Sequence, residues 1–414
     1  MRFEFFIANK LHLYSNDKSS NSSSFTLKVA IAGIVLAIIV MLASISIVSG
    51  FRNTIIDKIS NLEPHIRISN GEYNTASGQS DSIAMPTNIA LLKEKSALHL
   101  SSIDLIAEVP CILKTNNDFN GLTLKGIPDN YDTDFLSSCI VDGKFDTDSN
   151  NIVVSQLIAN RLRLNVGERI SVFFIKDGNI RQRKLTISGI FNTDFEDFDK
   201  NFIVGNIAIV QSVNHWGNDI GTSIEIRCKD LSDIDNTKSL IIDNLYDSLQ
   251  KSGSTYVYQI STIKESNATY FAWLDLLDTN IIVILLLMTL VACFSLIAGL
   301  LIVVLNRINM IGILKSLGAN NRCIRIIFMT LAGKIILKSL LWGNLIGFSI
   351  LLIQKYLHII KLDPATYYMS YVPIDINPWL IALNIGVLVV SAIALIGPSY
   401  IITSISPSKS VKFE

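Results

Sequence analysis

The chain reads as a membrane protein: four transmembrane α-helices, with a large mixed α+β extracytoplasmic domain between the first and second. Three observations predict this. Long apolar runs lie at about Val29–Phe51, Ile281–Leu305, Ile326–Ile353 and Leu380–Ile405, one near the N-terminus and three in the last third. Half of the residues are hydrophobic and mean hydropathy is +0.43, although the polar block 52–275 pulls that average down. The short segment 306–325 carries Arg307, Lys315, Arg322 and Arg325 and no acid.

A hydrocarbon core about 30 Å thick takes roughly 20 apolar residues as a helix, and lipid offers the backbone no hydrogen-bond partner. The first, second and fourth runs contain no Asp, Glu, Lys or Arg. The spans are placed at 27–51, 276–305, 326–354 and 379–405. Lys and Arg mark the cytoplasmic side of short loops, which puts 306–325 there. The N-terminal segment, with Arg2, Lys10, Lys18 and Lys28 against Glu4 and Asp17, reads the same way, as does the tail 406–414 with Lys409 and Lys412. Both termini are then cytoplasmic, and 52–275 and 355–378 lie outside. A signal peptide cut near Ala43–Ser46 is the competing reading, but the first run exceeds the usual apolar length of such a signal.

In chain order, residues 1–26 read as an amphipathic helix and a linker. Phe3, Phe6, Ile7, Leu11 and Tyr14 share one face that suits the cytoplasmic leaflet, and Ser15–Ser24 is a polar hinge. Gly33 and Ala37 in the first span, and Ser295 and Gly299 in the second, are small residues four apart, a spacing that lets helices approach closely. In the polar block, strand patterns occur at His65–Ser69, Leu122–Gly126, Arg169–Ile175, Lys184–Ile190 and Ser223–Arg227. Helical patterns occur at Ser155–Leu164 and Leu231–Lys251. Lys176–Asp177–Gly178–Asn179 reads as a hairpin turn and Ser69–Ser82 as a loop. A second subdomain is entertained around 70–140. In the third run, Lys334 and Lys338 are placed near the inner headgroups, where their stems can snorkel, so the span proper starts near Ile335. The alternative is a charge facing a cavity.

Catalytic chemistry is not legible. There is no GxxxxGK[ST], HExxH, GxSxG or CxxC, and the five histidines are scattered. No catalytic residue, metal site, bound cofactor or nucleic-acid partner is expected. Of the five cysteines, Cys111, Cys139 and Cys228 fall in the polar block, Cys293 in a span and Cys323 in the 306–325 loop; free buried thiols are the preferred state. Asp194–Asp199 (DFEDFD) lacks calcium-loop spacing and reads as a solvated turn.

The most informative short segment is Asn306–Arg325. Met310, Ile311, Ile313, Leu314 and Leu317 form an apolar stripe on a short helix over 309–319, closed by Gly318. Such a helix between two spans suits docking of another protein; a helix that merely lies on the membrane is the alternative, and composition alone favours it.

This segment carries a resemblance. MIGILKSLGA is similar to the loop of FtsX-like/MacB-like permeases of ABC transporters, which docks on a separate ATPase. That implies coupling by Met310, Ile311, Gly312, Ile313, Leu314, Lys315, Leu317, Gly318 and Ala319. The usual acidic residue before IGIL is here Met310. Ser49–Gly50–Phe51, IVVSQLIANRLRLNVGERI at 152–170, KLTISGIF at 184–191 and the C-terminal GPSYIITSISPSKSVKFE resemble the lipoprotein-releasing (Lol-type) branch. The resemblance implies a multi-pass inner-membrane subunit that releases lipoproteins toward the outer membrane by mechanotransmission. Its partners would be an ABC ATP-binding subunit in two copies, holding ATP and Mg, and a second permease subunit. The lipoprotein substrate and a periplasmic carrier complete the set. The long hook that one Lol subunit carries is absent from IKDGNIRQRK, leaving a heterodimer's non-hook member or a homodimer open. Val40, Met41, Ser44, Ile45 and Val48 on the first span, with Ile284, Met288 and Val291 on the second, are the expected substrate path. The alternatives are a MacB-like exporter with an adaptor, an FtsX-like regulator of an extracytoplasmic hydrolase, or a membrane-anchored binding domain with no ATPase.

Overall fold

The computed structural model describes residues 21–395 apart from 72, 75–78, 81, 87–88, 90–99, 116–117, 177–178, 253–256 and 306–307. The N-terminal amphipathic helix, the first part of the linker, the end of the fourth run and the tail lie outside the described residues. The chain divides into two units. A helical unit holds 1–53, 273–361 and 371–414; a mixed unit holds 54–272 and 362–370.

The first helix, α1 (Asn21–Leu62), is 42 residues long and crosses from one unit to the other. It outruns the expected span end at 51 because the pattern changes there from all-apolar to one-sided. Phe51, Ile55, Ile59 and Leu62 recur at helical spacing and are buried. It also starts inside the expected linker, at Asn21.

The mixed unit is built on β1 (Ile66–Asn70), the short pair β2 (Tyr73–Asn74) and β3 (Gln79–Ser80), β4 (Ile83–Ala84), β5 (Leu100–Lys114) and β6 (Phe119–Ile127). Then come α2 (Asp134–Ser138), β7 (Ile140–Gly143), β8 (Asn151–Ser155), α3 (Gln156–Leu162), β9 (Arg169–Lys176), β10 (Asn179–Phe191), α4 (Glu196–Asn201), β11 (Phe202–Asn206) and α5 (Ile207–Asn214). The last elements are β12 (Ile220–Gly221), β13 (Ser223–Cys228), α6 (Ile234–Ser252), β14 (Tyr258–Thr262) and α7 (Ile263–Ser266).

One long strand organises these elements. The first half of β5 pairs with β13, in a small sheet ordered β14-β1-β13-β5. Its second half, from Ala107, pairs with β6 on one side and β9 on the other. The pairings β5-β6-β11-β8-β10-β9 return to β5, so six strands close on themselves and leave no free edge. Val109, Cys111, Leu113, Val172, Phe174 and Ile187 fill the enclosed core. Within the stretch 70–140, where a second subdomain is entertained, β5 and β6 belong to this one sheet. The sequence reading passes over β5 because Ser101, Asp104, Glu108 and Pro110 interrupt its apolar residues. Pro110 is exposed while Val109, Cys111 and Leu113 are buried, and it lies just outside the stretch Cys111–Lys114 that pairs with β9.

Two local expectations change. Within Ser69–Ser82, Ser69 and Asn70 end β1, and Tyr73↔Ser80 and Asn74↔Gln79 form a short ladder where a loop is expected. DFEDFD is not a solvated turn: Phe195 and Phe198 are buried, and Asp199 is 1% exposed. Its carboxylate accepts from Thr193 N–H at 3.1 Å and Thr193 Oγ1 at 2.7 Å. Burial pushes the Asp199 carboxyl up to about 6. All five cysteines are free, with Cys111 and Cys228 buried.

The helical unit continues with α8 (Ala268–Leu305), which also crosses the unit boundary, α9 (Ile308–Ser316) and α10 (Asn321–Leu357). A one-turn α11 (Pro364–Tyr367) precedes α12 (Trp379–Ala394). Helices α1, α8 and α10 are each long and apolar enough to cross a membrane; α12 is described for 16 residues. Three of the four expected small residues lie at the contact between α1 and α8: a Cβ on Gly33 would lie 2.7 Å from Ser295 Oγ, and one on Gly299 would lie 2.5 Å from the Cβ of Ala30 rather than of Ala37. Close backbone approach is therefore what holds α1 on α8. Lys334 is half-buried and Lys338 exposed on the unbroken α10, which starts at Asn321 rather than 326.

Candidate functional site

The 306–325 segment folds as a short helix and a tight stop. Helix α9 ends at Ser316, shorter than the 309–319 expected. Gly318 then takes φ 89, Gly318 N–H donates to Lys315 O at 3.0 Å and Ala319 N–H to Leu314 O at 2.9 Å. This Schellman pattern satisfies the last carbonyls, and only glycine takes the left-handed position without strain. Asn320 then opens α10, with its carbonyl accepting from Cys323 and Ile324 N–H.

The apolar stripe splits between two faces. Ile311 is fully buried in the core that also contains Val304, Ile324 and Phe328, and Met310 and Ala319 pack on that core. Gly312 is buried too, and Leu314 and Lys315 are half-buried. Ile313 is 56% exposed and Leu317 is 79% exposed. Two residues along a helix is a rotation of about 200°, so Ile311 and Ile313 point in opposite directions, and Leu317 falls one turn beyond Ile313. The inward face fixes α9 to α8 and α10. The outward face presents an uncovered apolar pair.

The second feature is a cavity of about 520 Å³ between α1, α8 and α12. Its walls are Met41 and Ile45 of α1, Ile281, Leu285 and Thr289 of α8, and Ala382, Leu383, Gly386, Val387 and Val390 of α12. Ser49, Arg52, Asp278 and Asn377 form a polar end. Of the residues expected to line a substrate path, Met41 and Ile45 lie in this wall; Val40, Ser44, Val48, Ile284, Met288 and Val291 do not. On α8 the lining recurs as Asp278, Ile281, Leu285 and Thr289, one residue and so about 100° away from the expected face. The contribution of α12 was beyond a reading confined to the first two spans.

The polar end explains Ser49–Gly50–Phe51. Ser49 Oγ donates to Asp375 Oδ2 at 3.0 Å and accepts from Asn377 Nδ2 at 2.9 Å. A Cβ on Gly50 would lie 2.8 Å from the Pro373 carbonyl oxygen, so only glycine lets that strand of chain lie against α1. Phe51 meets Trp273 edge-on, with centroids 5.3 Å apart. Arg52 forms an ion pair with Asp278, and Asp275 stands 3.9 Å away.

In the mixed unit, the end of α1 is tied to the sheet by buried charge. Arg227 donates to Ser60 O at 2.9 Å and Asn61 O at 3.1 Å, which caps the last carbonyls of α1. Glu225, 1% exposed, meets Lys125 at 2.8 Å and Arg67 at 3.5 Å and accepts from Tyr131 OH at 2.8 Å. Two opposite charges at once hold Glu225 below the usual carboxylate range in spite of its burial, and Glu225 holds Lys125 up. His65 takes the Cys228 N–H on Nδ1 at 2.9 Å, and burial lowers it to about 4, so it stays neutral. A hollow of about 260 Å³ beside Asp194, Glu196, Asp199 and Asp363 is acidic, yet no three His, Cys, Asp or Glu among the described residues are placed to hold a metal ion.

The described residues thus hold apolar membrane-length helices, an uncovered apolar pair on a short helix between two of them, and a separate mixed unit. Residues 29–243 match the family model described as MacB-like periplasmic core domain, and residues 282–407 match that of the FtsX-like permease C-terminal. The chain belongs to this family, the FtsX-like/MacB-like permeases of ABC transporters, whose members are permease subunits that work with an ATPase partner. Within it, the chain is similar to the lipoprotein-releasing system transmembrane protein LolC of Neisseria meningitidis, at 23% identity over 96% of each chain. It is also similar to LolC of Xylella fastidiosa strain Temecula1, at 22% identity over 94% of each. Among solved structures, the periplasmic region of MacB from Actinobacillus actinomycetemcomitans matches at 16% identity, over 50% of this chain and 91% of that one, with a TM-score of 0.34.

Proposed function

We propose that the chain is an inner-membrane permease subunit through which a separate ATP-binding subunit, in two copies, drives lipoproteins toward the outer membrane. The observation that carries this reading is the end-to-end likeness to LolC proteins, over 96% of both chains in the Neisseria case. In this reading ATP and Mg are held by the partner, in keeping with the lack of a GxxxxGK[ST] among the residues of this sequence. In this reading there are four spans, the fourth being the apolar run at 379–405. Both termini and α9 are cytoplasmic, and the mixed unit lies outside.

Each site then takes a role. Ile313 and Leu317 dock on the ATPase, while Met310, Ile311, Gly312 and Ala319 carry its displacement into α8 and α10. Leu314 and Lys315 flank the docking face, and Gly318 fixes where α9 stops. The cavity shelters acyl chains. Moving a chain into water costs about 0.8 kcal/mol per CH2, so extraction needs an apolar path and external work. Met41, Ile45, Leu285 and Val387 supply the apolar wall; Ser49, Arg52 and Asn377 suit the polar end of a lipid anchor. A second permease subunit, identical or related, completes the path. With only two residues between β9 and β10, a carrier would be met by some surface other than a long hook.

The test is reconstitution with the ATP-binding subunit in vesicles loaded with a triacylated lipoprotein. ATP-dependent appearance of that lipoprotein in the soluble fraction, with a carrier present, is the expected result. Hydrolysis with no release, but with export through an adaptor or activation of a cell-wall hydrolase, would replace it with one of the other family activities.

A further inference from the structure

The link between α10 and α12 is unused by the reading above. Its residues 362–370, including α11, belong to the mixed unit, whereas the residues on either side belong to the helical unit. Within the mixed unit this segment closes on itself, Leu362 N–H donating to Ser370 O at 3.0 Å. Lys58 of α1 is the centre of its attachment. Lys58 Nζ donates to Tyr368 O at 2.9 Å and Thr193 O at 2.8 Å, and lies 3.9 Å from Asp194 Oδ2. An ammonium has three donors, and here three oxygens from two distant segments surround it. Asp194 Oδ2 also accepts from Ser370 Oγ at 3.0 Å. The Tyr368 ring packs on Phe195 and on Tyr270, with centroids 5.2 and 5.6 Å away. Asp194 and Tyr368 both hold left-handed backbone, φ 55 and 58, which non-glycine residues keep only where the surroundings enforce it.

The same link is fastened to α1 a second time, inside the helical unit. Asp375 N–H donates to Ser46 O at 3.1 Å, and Asp375 Oδ2 accepts from Ser49 Oγ and Asn53 Nδ2, each at 3.0 Å. Ser46, Ser49, Asn53 and Lys58 lie on one continuous helix.

We propose that residues 358–378 form a strap that clamps α10 and α12 to α1, with Lys58 as its positioning residue. Displacement of α9 then reaches the mixed unit through α10 and the strap, as well as along α8. The coupling half of this inference rests on the proposed function, since it takes α9 as the point where the ATPase acts; the clamp itself does not.

The experiment uses the full complex with its ATP-binding subunit, reading hydrogen exchange of residues 362–370 together with lipoprotein released per ATP hydrolysed. Lys58→Met keeps the apolar stem and removes every donor. It is expected to raise exchange across 362–370 about tenfold while β8 and β10 stay protected. ATP hydrolysis should stay within about twofold of wild type while release per ATP falls about fivefold. Lys58→Arg should restore most of both. Ser370→Ala, a milder cut, should move both readouts the same way by a smaller factor, which guards against a variant that fails to fold. Unchanged exchange in folded Lys58→Met, or raised exchange with release per ATP at the wild-type level, overturns the proposal. A wild-type complex that releases no lipoprotein instead overturns the proposed function, and the exchange readout alone then decides the clamp.

Discussion

The two units handle charge in opposite ways. In the mixed unit, Lys125 and Glu225 are sealed inside, 2.8 Å apart, and Arg67, Tyr131 and Arg227 extend the contact to the end of α1. In the helical unit, the Arg52–Asp278 pair stands at the polar end of a cavity, with both side chains at least one-third exposed. What holds α1 on α8 there is close approach at Gly33 and Gly299 rather than charge. A buried ion cluster is costly to break, whereas close packing of small residues between apolar helices involves no charge.

The largest effect should come from breaking the sealed cluster. Lys125→Ala leaves Glu225 short of its nearest partner and should destabilise the mixed unit by about 3–5 kcal/mol. Limited proteolysis and thermal melting of the purified chain would read this, and a loss near zero would mean the cluster is not the anchor. Next is Gly299→Leu, which would force α1 and α8 apart and cost about 1–3 kcal/mol, while leaving the proteolytic pattern of the mixed unit intact. Cleavage appearing in both units would mean they are not separable in this way.

A smaller, pH-dependent effect should follow from Asp199. Its carboxyl is raised to about 6 by burial, so its contribution favours the fold at low pH and is lost as pH rises through about 6. His65, lowered to about 4, acts in the other direction, losing its contribution as pH falls from about 6.5 toward 4. The informative quantity is therefore the difference between wild type and Asp199→Asn. Between pH 7 and pH 5 that difference should grow in favour of wild type by at most about 1.4 kcal/mol per pH unit. A flat difference would show that the carboxyl is not held neutral. The smallest effect is expected from Arg52→Gln, at most about 1 kcal/mol because the pair is solvent-screened. A melting point shifted as far as that of Lys125→Ala would erase the contrast between the units.

What could be read in advance follows the same division. The membrane helices were legible because lipid demands uninterrupted apolar runs; the small residues Gly33, Ser295 and Gly299 marked close approach without saying which helices meet. The extension of α1 to Leu62 was missed because it is marked only by one-sided spacing after Phe51. Strand β5 was hidden by Pro110, Asp104 and Glu108, each of which makes sense only once both neighbours of the strand are known. On α8, a one-residue rotation separates Ile284 and Met288, expected on a substrate path, from Leu285 and Thr289, which line the cavity. Apolar composition alone does not say which face of a lipid-embedded helix turns inward. The stripe on α9 was visible, but its division into an inward Ile311 and an outward Ile313 and Leu317 required the fold.

That outward pair is the place to test the whole account. The measurement is copurification of the ATP-binding subunit with the double variant Ile313→Asp, Leu317→Asp, both positions exposed and so not needed for folding of the helical unit. The account predicts at least about a tenfold loss of bound ATPase with melting unchanged. Full retention of the ATPase by the folded variant would contradict it.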